Sequence, residues 1–410
     1  MTEEAHKRAL VIKFALLIEI LFLALSFYSI AVYGRLPHPF HNVPFDAFMD
    51  FFNTNWWAFN EGRYLEWKSI YPPLTFAIAK VFVPKKCIGI GDPAALRACS
   101  SQVLLFFIPI YLYAAYLSTK IINKFNSFSL KRDQLFLFGA VLLSLPFLYT
   151  AERMNYLIVT YIFYCLYLTE KRGFLKYIYF GIAVNMKPYL ILLSASYLIR
   201  RELKNFMYSI ISPVIIFLIG KWIIKDRNSG QFLFNMFEFG QNLPPSFHGL
   251  NYQSSFSNAL RYFYTIYDID QSFALIQILL FLIPLVAVIQ IRKNIKNMDI
   301  FELNFLIFLG ILIATSSLGG YAMIFLIPFI SLFMKKEYGI FIFMITLLIP
   351  FDLIFYQGAL TGLVNSYFSN DIIDNSIQIT TGSILRPLVL ILILFLYSES
   401  IRRRNDFKKI

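Results

Sequence analysis

Cysteine and histidine are scarce in this chain, with three and four residues among 410. They form no Cys/His cluster with metal-ligand spacing, and no glycine-rich phosphate loop occurs anywhere in the sequence. A structural zinc site and a P-loop nucleotide site therefore have no signature here. Internal repeats, low-complexity runs and a domain linker are missing too, which argues against a solenoid and predicts a single domain over residues 1–410. The first apolar run, near residues 9–33, is too long for a signal peptide and is not followed by a small-residue cleavage site, so it reads as a retained span. Cys165 lies within an apolar run and reads as inert. Cys87 and Cys99 flank a short loop containing Gly and Pro. They can pair if that loop faces an oxidising compartment and stay free if it does not.

What the chain has in abundance is apolar surface. It is 58% hydrophobic and 18% aromatic, with a mean hydropathy of +0.62, against about 45–50% apolar residues in soluble domains. Apolar runs recur from end to end, so the expected fold is an all-α polytopic membrane protein. The formal net charge of +13 would suggest nucleic acid in a soluble protein; here basic loops on the cytoplasmic side of a bilayer explain it. The expected spans are 9–33, 101–121, 134–149, 155–169, 206–224, 271–291, 302–317, 321–334, 338–355 and 385–399.

One further apolar run, 174–199, is broken by Met186-Lys187-Pro188. If it crossed the bilayer once, the basic cluster at Arg200, Arg201 and Lys204 and every later one would change sides. If it enters and leaves on one side, all the basic clusters face the cytoplasm. The sequence thus predicts about ten spans plus a re-entrant helical hairpin hinged at Lys187-Pro188, or twelve if each half is counted. Both termini are then cytoplasmic, and three longer segments, 34–100, 225–270 and 356–384, fall outside.

The candidate functional residues lie on these outer segments and at two interruptions. In the stretch Phe45 to Leu74, Phe45, Phe48, Phe52, Trp56 and Phe59 recur at helical spacing, while Asp46, Asp50 and Asn53 share the opposite face. That pattern predicts an interfacial helix with its aromatic side in the headgroups and its carboxylates toward water. Those carboxylates are either merely solvated or a general base covered by substrate. Tyr71-Pro72-Pro73-Leu74 then stops the helix. Lys187, at membrane depth, needs a partner: an internal carboxylate, which would only pin the hairpin, or a lipid phosphate. Glu152-Arg153-Met154-Asn155 sits between two short spans. Arg153 has the planar fork that suits phosphate, unless Glu152 pairs with it and neutralises it. In 225–270, Asn251, Gln253, Ser254 and Ser255 sit beside aromatics, as a sugar site requires, with Asn258 and Arg261 following. His248 is the sole histidine beyond residue 41. It reads as a donor to phosphate, a holder of an acceptor hydroxyl or a plain loop residue.

In order along the chain, Asp50-Phe51, Gly62, Tyr64, Tyr71-Pro72-Pro73-Leu74, Asn155, Lys187-Pro188 before Arg200-Arg201, and Asn251-x-Gln253-Ser254 resemble the polyprenyl-phosphate-mannose-dependent alpha-mannosyltransferases. These are integral-membrane members of the C-type glycosyltransferase superfamily. The resemblance covers about the first two thirds of the chain. It implies a C-type glycosyltransferase fold and an inverting transfer of a hexose, mannose in the family pattern. The donor would be a polyprenyl-phosphate-linked sugar and the acceptor an envelope glycolipid or polysaccharide. Transfer would occur on the extracytoplasmic face of a bacterial inner membrane, with the lipid bilayer as a further partner. It also implies that Asp50 is the base, with Asp46 as its substitute, and that His248 has a catalytic part. Relatives usually carry Gly-Gln where this chain has Glu152-Arg153, which makes hexose a safer reading than mannose.

In this scheme Lys187, Arg153 and Arg261 meet the donor phosphate, while Tyr71, Asn155, Asn251 and Gln253 meet sugar or acceptor. Charge building on the leaving phosphate is matched by protein cations, and neither a metal nor another cofactor is called for. The alternative is a transporter of lipid-linked sugars. That reading expects inverted repeats and polar residues spread through many spans, whereas here they concentrate in outer segments and two turns.

Overall fold

The computed structural model describes residues 3–40, 46–126, 131–241, 273–292, 294–315, 320–334, 337–350, 352–365 and 372–406. Each of the ten expected spans carries a helix. Four described helices are long and apolar enough to cross a bilayer, and Lys131–Leu142 with Leu145–Arg153, bent by 47°, makes a fifth. Shorter apolar helices include Leu157–Thr169, Gly173–Val184 and Ile300–Ala314. The helical polytopic architecture is as expected.

The chain divides into two compact units. The first comprises Met1–Phe45, Ser118–Tyr149 and Pro244–Ile410, and the second Asp46–Leu117 and Thr150–Leu243. In the first unit, helix Glu3–Tyr33 buries Ile12, Ala15, Glu19, Phe22 and Ser26 at helical spacing. Its other side exposes Leu10, Phe14, Leu17, Leu21 and Phe27. A water-soluble helix would expose polar groups there; this one is built to face lipid. The helix is tied to Lys131–Leu142 by an ion pair of 3.2 Å between Lys13 and Asp133. Helix Ile300–Ala314 opens with a capping box between Asp299 and Glu302 that satisfies two orphan backbone donors. It packs against helix Thr381–Asp406 through Phe305, which lies 5.1 Å from the Phe333 ring and 5.2 Å from the Tyr397 ring.

The same unit holds a departure from the sequence reading. Helix Tyr338–Thr346 stops short of the expected 355, and the segment 356–384, expected as an outer loop, includes most of an antiparallel hairpin pairing Ile354–Asn365 with Ile372–Thr380. Its base is pinned where Asp352 accepts from Arg386 at 2.5 Å and from Thr380 at 2.6 Å.

In the second unit, helix Leu203–Ile224 packs on Gly173–Val184 and on Pro73–Val81. Two glycines permit the approach. A Cβ on Gly220 would meet the Leu74 backbone nitrogen at 2.7 Å, and one on Gly181 would meet the Ser212 hydroxyl at 2.5 Å. Helix Leu203–Ile224 buries Ser209, Pro213 and Gly220 and exposes Leu218 and Trp222, so small residues face protein and large apolar ones face outward. The run 174–199 is broken as predicted. Helix Gly173–Val184 ends at Asn185, and a 3₁₀ turn Pro188–Ser194 leads into Ala195–Ile199. Asn185 holds the break by donating to the carbonyls of Gly181 at 2.9 Å and Pro213 at 2.8 Å.

The interfacial helix expected at 45–74 is corrected. The helix runs only Met49–Trp57, and Phe51 and Phe52 are fully buried. Of the expected stripe, Phe52 lies in the core while Phe48, Trp56 and Phe59 keep part of their surface. The neighbouring Phe51 ring stands 5.0 Å from Phe107 and 5.5 Å from Tyr156, so the buried aromatic side of the helix packs on protein. Sequence spacing cannot separate packing on protein from contact with headgroups, because an aromatic stripe suits either environment. Cys87 and Cys99 are disulfide-bonded. They hold helix Pro93–Ser100, started by Asp92 accepting from the Ala95 amide at 2.8 Å, beside Met49–Trp57.

Candidate active site

The site grows from two backbone reversals. Phe48, at φ 63°, turns the chain into helix Met49–Trp57, which puts Asp50 in the first turn and leaves Asp46 before it. Met154, at φ 49°, ends helix Leu145–Arg153. The two are tied together where the Phe48 amide donates to the Glu152 carbonyl at 2.9 Å. Arg153 therefore leaves the C-terminal end of its helix, where a cation is favoured, and reaches straight to the two aspartates.

Arg153 donates to the Asp46 carbonyl at 3.0 Å and to the Asp46 carboxylate. It donates to one oxygen of Asp50 at 2.6 and 3.2 Å. The other Asp50 oxygen accepts from the Asn155 amide at 2.6 Å. Asn155 is itself fully buried and is oriented by its own oxygen, which accepts from the Leu157 backbone at 2.9 Å. Its amide also lies 3.4 Å from the Tyr71 hydroxyl. The Lys187 ammonium stands 4.7 Å from the Tyr71 ring centroid, a cation–π distance, and its charge acts on Asp50. The Tyr-Pro-Pro segment sets this placement: Pro72 is extended and Pro73 opens helix Pro73–Val81.

Burial alone would push the Asp50 carboxyl up. The Arg153 guanidinium, by charge and hydrogen bond, together with Asn155 and Lys187, more than offsets that and holds it below its usual range. Asp50 is thus a carboxylate, 19% exposed. Burial and then the Asp50 charge hold the Tyr71 phenol protonated, above its ordinary range.

Six of the residues singled out in the sequence converge here: Asp46, Asp50, Tyr71, Arg153, Asn155 and Lys187. His248, Arg261, Asn251 and Gln253 lie outside the described residues. The choice left open at Arg153 is resolved against Glu152: Arg153 spends its fork on Asp46 and Asp50, and both Glu152 carboxyl oxygens are buried without a hydrogen bond among the described residues. Sequence reasoning missed the Asn55–Tyr156 hydrogen bond of 2.6 Å, which braces helix Met49–Trp57 under the site. Its trace in the sequence is the polar run Asn53-Thr54-Asn55 set between pairs of aromatics.

The geometry offers a carboxylate base positioned by an amide, two cations beside it and a tyrosine platform. Such an arrangement can serve group transfer, in which a hydroxyl loses a proton while negative charge forms on a leaving group. The arrangement lies in a multi-pass membrane scaffold. A family model described as glycosyltransferase family 87 matches residues 70–317, more than half of the chain, and the chain belongs to that family. It is a glycosyltransferase with sugar donor and acceptor substrates. Comparison with curated proteins and with solved structures gives no match. The matched range includes Tyr71, Arg153, Asn155 and Lys187 and begins after Asp46 and Asp50.

Proposed function

We propose that this glycosyltransferase moves a hexose, with mannose the first candidate, from a polyprenyl-phosphate donor to an envelope glycolipid or polysaccharide. Transfer takes place, with inversion, on the extracytoplasmic face of a bacterial inner membrane. The observation that carries the reading is the convergence of Asp50 with Arg153, Asn155 and Lys187.

In the transfer, the acceptor hydroxyl oxygen forms a bond to the anomeric carbon as the bond from that carbon to the phosphate oxygen breaks. The hydroxyl proton goes to Asp50, and the bonding pair leaves with the polyprenyl phosphate. Lys187 and Arg153 stand where the growing phosphate charge needs cations, and such preorganised charge is worth most in a water-poor site. Asp50 and the phosphate would then share Arg153. Before the donor arrives, Arg153 keeps Asp50 ionised and weakly basic. Once the phosphate draws on the guanidinium, Asp50 loses part of its stabilisation and becomes a stronger base. Donor binding would thereby switch on the base. Asp46, sharing the same guanidinium, restrains it and is the substitute base.

The extracytoplasmic orientation rests on the basic clusters and on the broken helix at Asn185–Lys187, read as re-entrant. The test is sugar transfer by purified protein given polyprenyl-phosphate-mannose and a membrane glycolipid extract, with wild type set against Asp50→Asn. Transfer that disappears in a folded Asp50→Asn protein supports the reading with Asp50 as base. Unchanged transfer in that variant moves the role to Asp46. No transfer from any polyprenyl-phosphate sugar by wild type overturns the donor class.

A further inference from the structure

Glu152 is the one carboxyl of the cluster that the network of Arg153 leaves out. It occupies the last turn of helix Leu145–Arg153, only 8% exposed, and its neighbours in charge are Arg153, Asp46 and Asp50. Both of its side-chain oxygens are buried without a hydrogen bond among the described residues. Its backbone carbonyl is taken by the Phe48 amide, so the main chain at this position is secured independently of the side chain. A buried carboxyl without partners lowers stability, because the water it gave up is not replaced. Such a group does not mark a site by itself, since Glu19 has the same orphaned carboxyl among the described residues, far from any charge cluster. Glu152 differs in standing beside Arg153, Asp46 and Asp50, where an unsatisfied polar group is one that a ligand can complete.

The chemistry of the missing partner follows from the group. A phosphate oxyanion brings no hydrogen-bond donor and would be repelled by a carboxylate, so the phosphate end of the donor belongs with Lys187 and Arg153 and not with Glu152. A sugar hydroxyl both donates and accepts, and it suits a carboxyl in either protonation state. Two neighbouring hydroxyls of one ring can serve both oxygens at once. We propose that Glu152 is a specificity-determining residue that binds hydroxyl groups of a hexose within this site. This deepens the glycosyltransferase reading and rests on it for the identity of the occupant. The hydroxyls come from the donor sugar or from the acceptor sugar, and the two sources are separable.

The experiment uses the full-length protein in lipid nanodiscs, as wild type, Glu152→Gln and Glu152→Met. Without ligand, the thermal midpoint of Glu152→Met should equal or exceed that of wild type, since no hydrogen bond among the described residues is lost. A clearly lower midpoint would reveal a structural partner and overturn the proposal. Binding is then read from thermal shifts in two arms: polyprenyl-phosphate-mannose against bare polyprenyl phosphate, and an alkyl mannoside against the matching alkyl alcohol. In one arm the sugar-dependent affinity should fall roughly tenfold to a hundredfold in Glu152→Met, and less in Glu152→Gln, which keeps a donor and an acceptor. Loss in the first arm assigns Glu152 to the donor sugar, and loss in the second to the acceptor. Equal affinities in wild type and Glu152→Met, or no sugar-dependent shift in wild type, overturn the proposal. Because the readout is binding, it is separable from transfer. Wild type that binds sugar through Glu152 yet transfers none keeps this inference and removes the proposed reaction. Wild type that transfers with no dependence on Glu152 does the reverse.

Discussion

The two units use ionic side chains in different ways. In the first, Glu399 takes two surface cations of its own helix, Arg402 and Arg403, but two buried carboxylates each meet one cation: Asp133 with Lys13, and Asp352 with Arg386. Each pins two segments, and nothing about it invites rearrangement. In the second unit Arg153 serves Asp46 and Asp50, while Asp50 answers to Arg153, Asn155 and Lys187. Shared partners can be redistributed when a charged ligand arrives, whereas a private pair can only break. Buried pairs by themselves are poor signs of function, since many only fix structure or specificity. Shared ones beside an aromatic platform are better signs. The second unit also has its own private pair, Arg63 with Asp226 at 2.6 Å, so the distinction belongs to the site and not to the unit as a whole.

The comparison breaks first at Asp50. Asp50→Asn should cut transfer by about a hundredfold to ten-thousandfold, the range for losing a general base, in protein that still folds. A loss of stability with unchanged transfer per folded molecule would make this network structural like the others. Asp352→Ala is the counterpart. It leaves Arg386 buried without its carboxylate and should destabilise the protein by about 3–5 kcal/mol, while transfer by the remaining folded protein is unaltered. A calorimetric scan alongside the transfer assay checks both halves of that statement.

Lys187→Met comes next. It should raise the donor KM roughly tenfold to a hundredfold, the effect of losing one charge-assisted contact, with the acceptor KM unchanged. An equal rise for both substrates would instead point to distortion of the broken helix around Asn185.

The response to pH is smaller and its sign is fixed by the depressed Asp50 pKa. The ordinary value is 3.8, and the folded one lies below it. The stability that Asp50 contributes is therefore fully present above the unfolded pKa and is lost as pH falls through the folded one. Between about pH 5 and pH 8 no acid limb from Asp50 should appear in wild-type transfer. In Arg153→Gln burial is no longer offset by the guanidinium, so the acid limb should move upward. An unmoved limb would detach Asp50 from the rate. Least affected should be Glu19→Gln. Glu19 is fully buried in helix Glu3–Tyr33 and has no hydrogen bond among the described residues, so replacing it should leave transfer intact and the thermal midpoint equal or higher.

Much of the site was legible because its residues are conspicuous where they stand. Lys187 before a proline in an apolar run, Glu152-Arg153 between two short spans and Tyr71-Pro72-Pro73 after an acidic stretch all contradict their surroundings. The partners were not legible. Asp50 and Arg153 are 103 positions apart, and nothing local at either one says that Arg153 reaches past its neighbour Glu152 to two distant aspartates. The aromatic stripe through Phe48, Phe52 and Trp56 is legible, but the burial of Phe52, and of Phe51 beside it, is not. A ring buried against Phe107 and Tyr156 and a ring at a bilayer surface satisfy the same periodicity.

By itself, then, the sequence determined the helical membrane class, the ten apolar segments, the break near Lys187 and six of the groups that meet at the site. Hydropathy and chain-breaking residues act over a few positions, and a bilayer leaves backbone polar groups little choice but to pair within a helix. Only the tertiary structure decided that Phe51 and Phe52 are core, that a hairpin forms much of the segment 356–384, and which carboxylate each cation holds. Those outcomes depend on which distant side chains are brought within about 3 Å of one another, a matter of chain closure that no local pattern encodes.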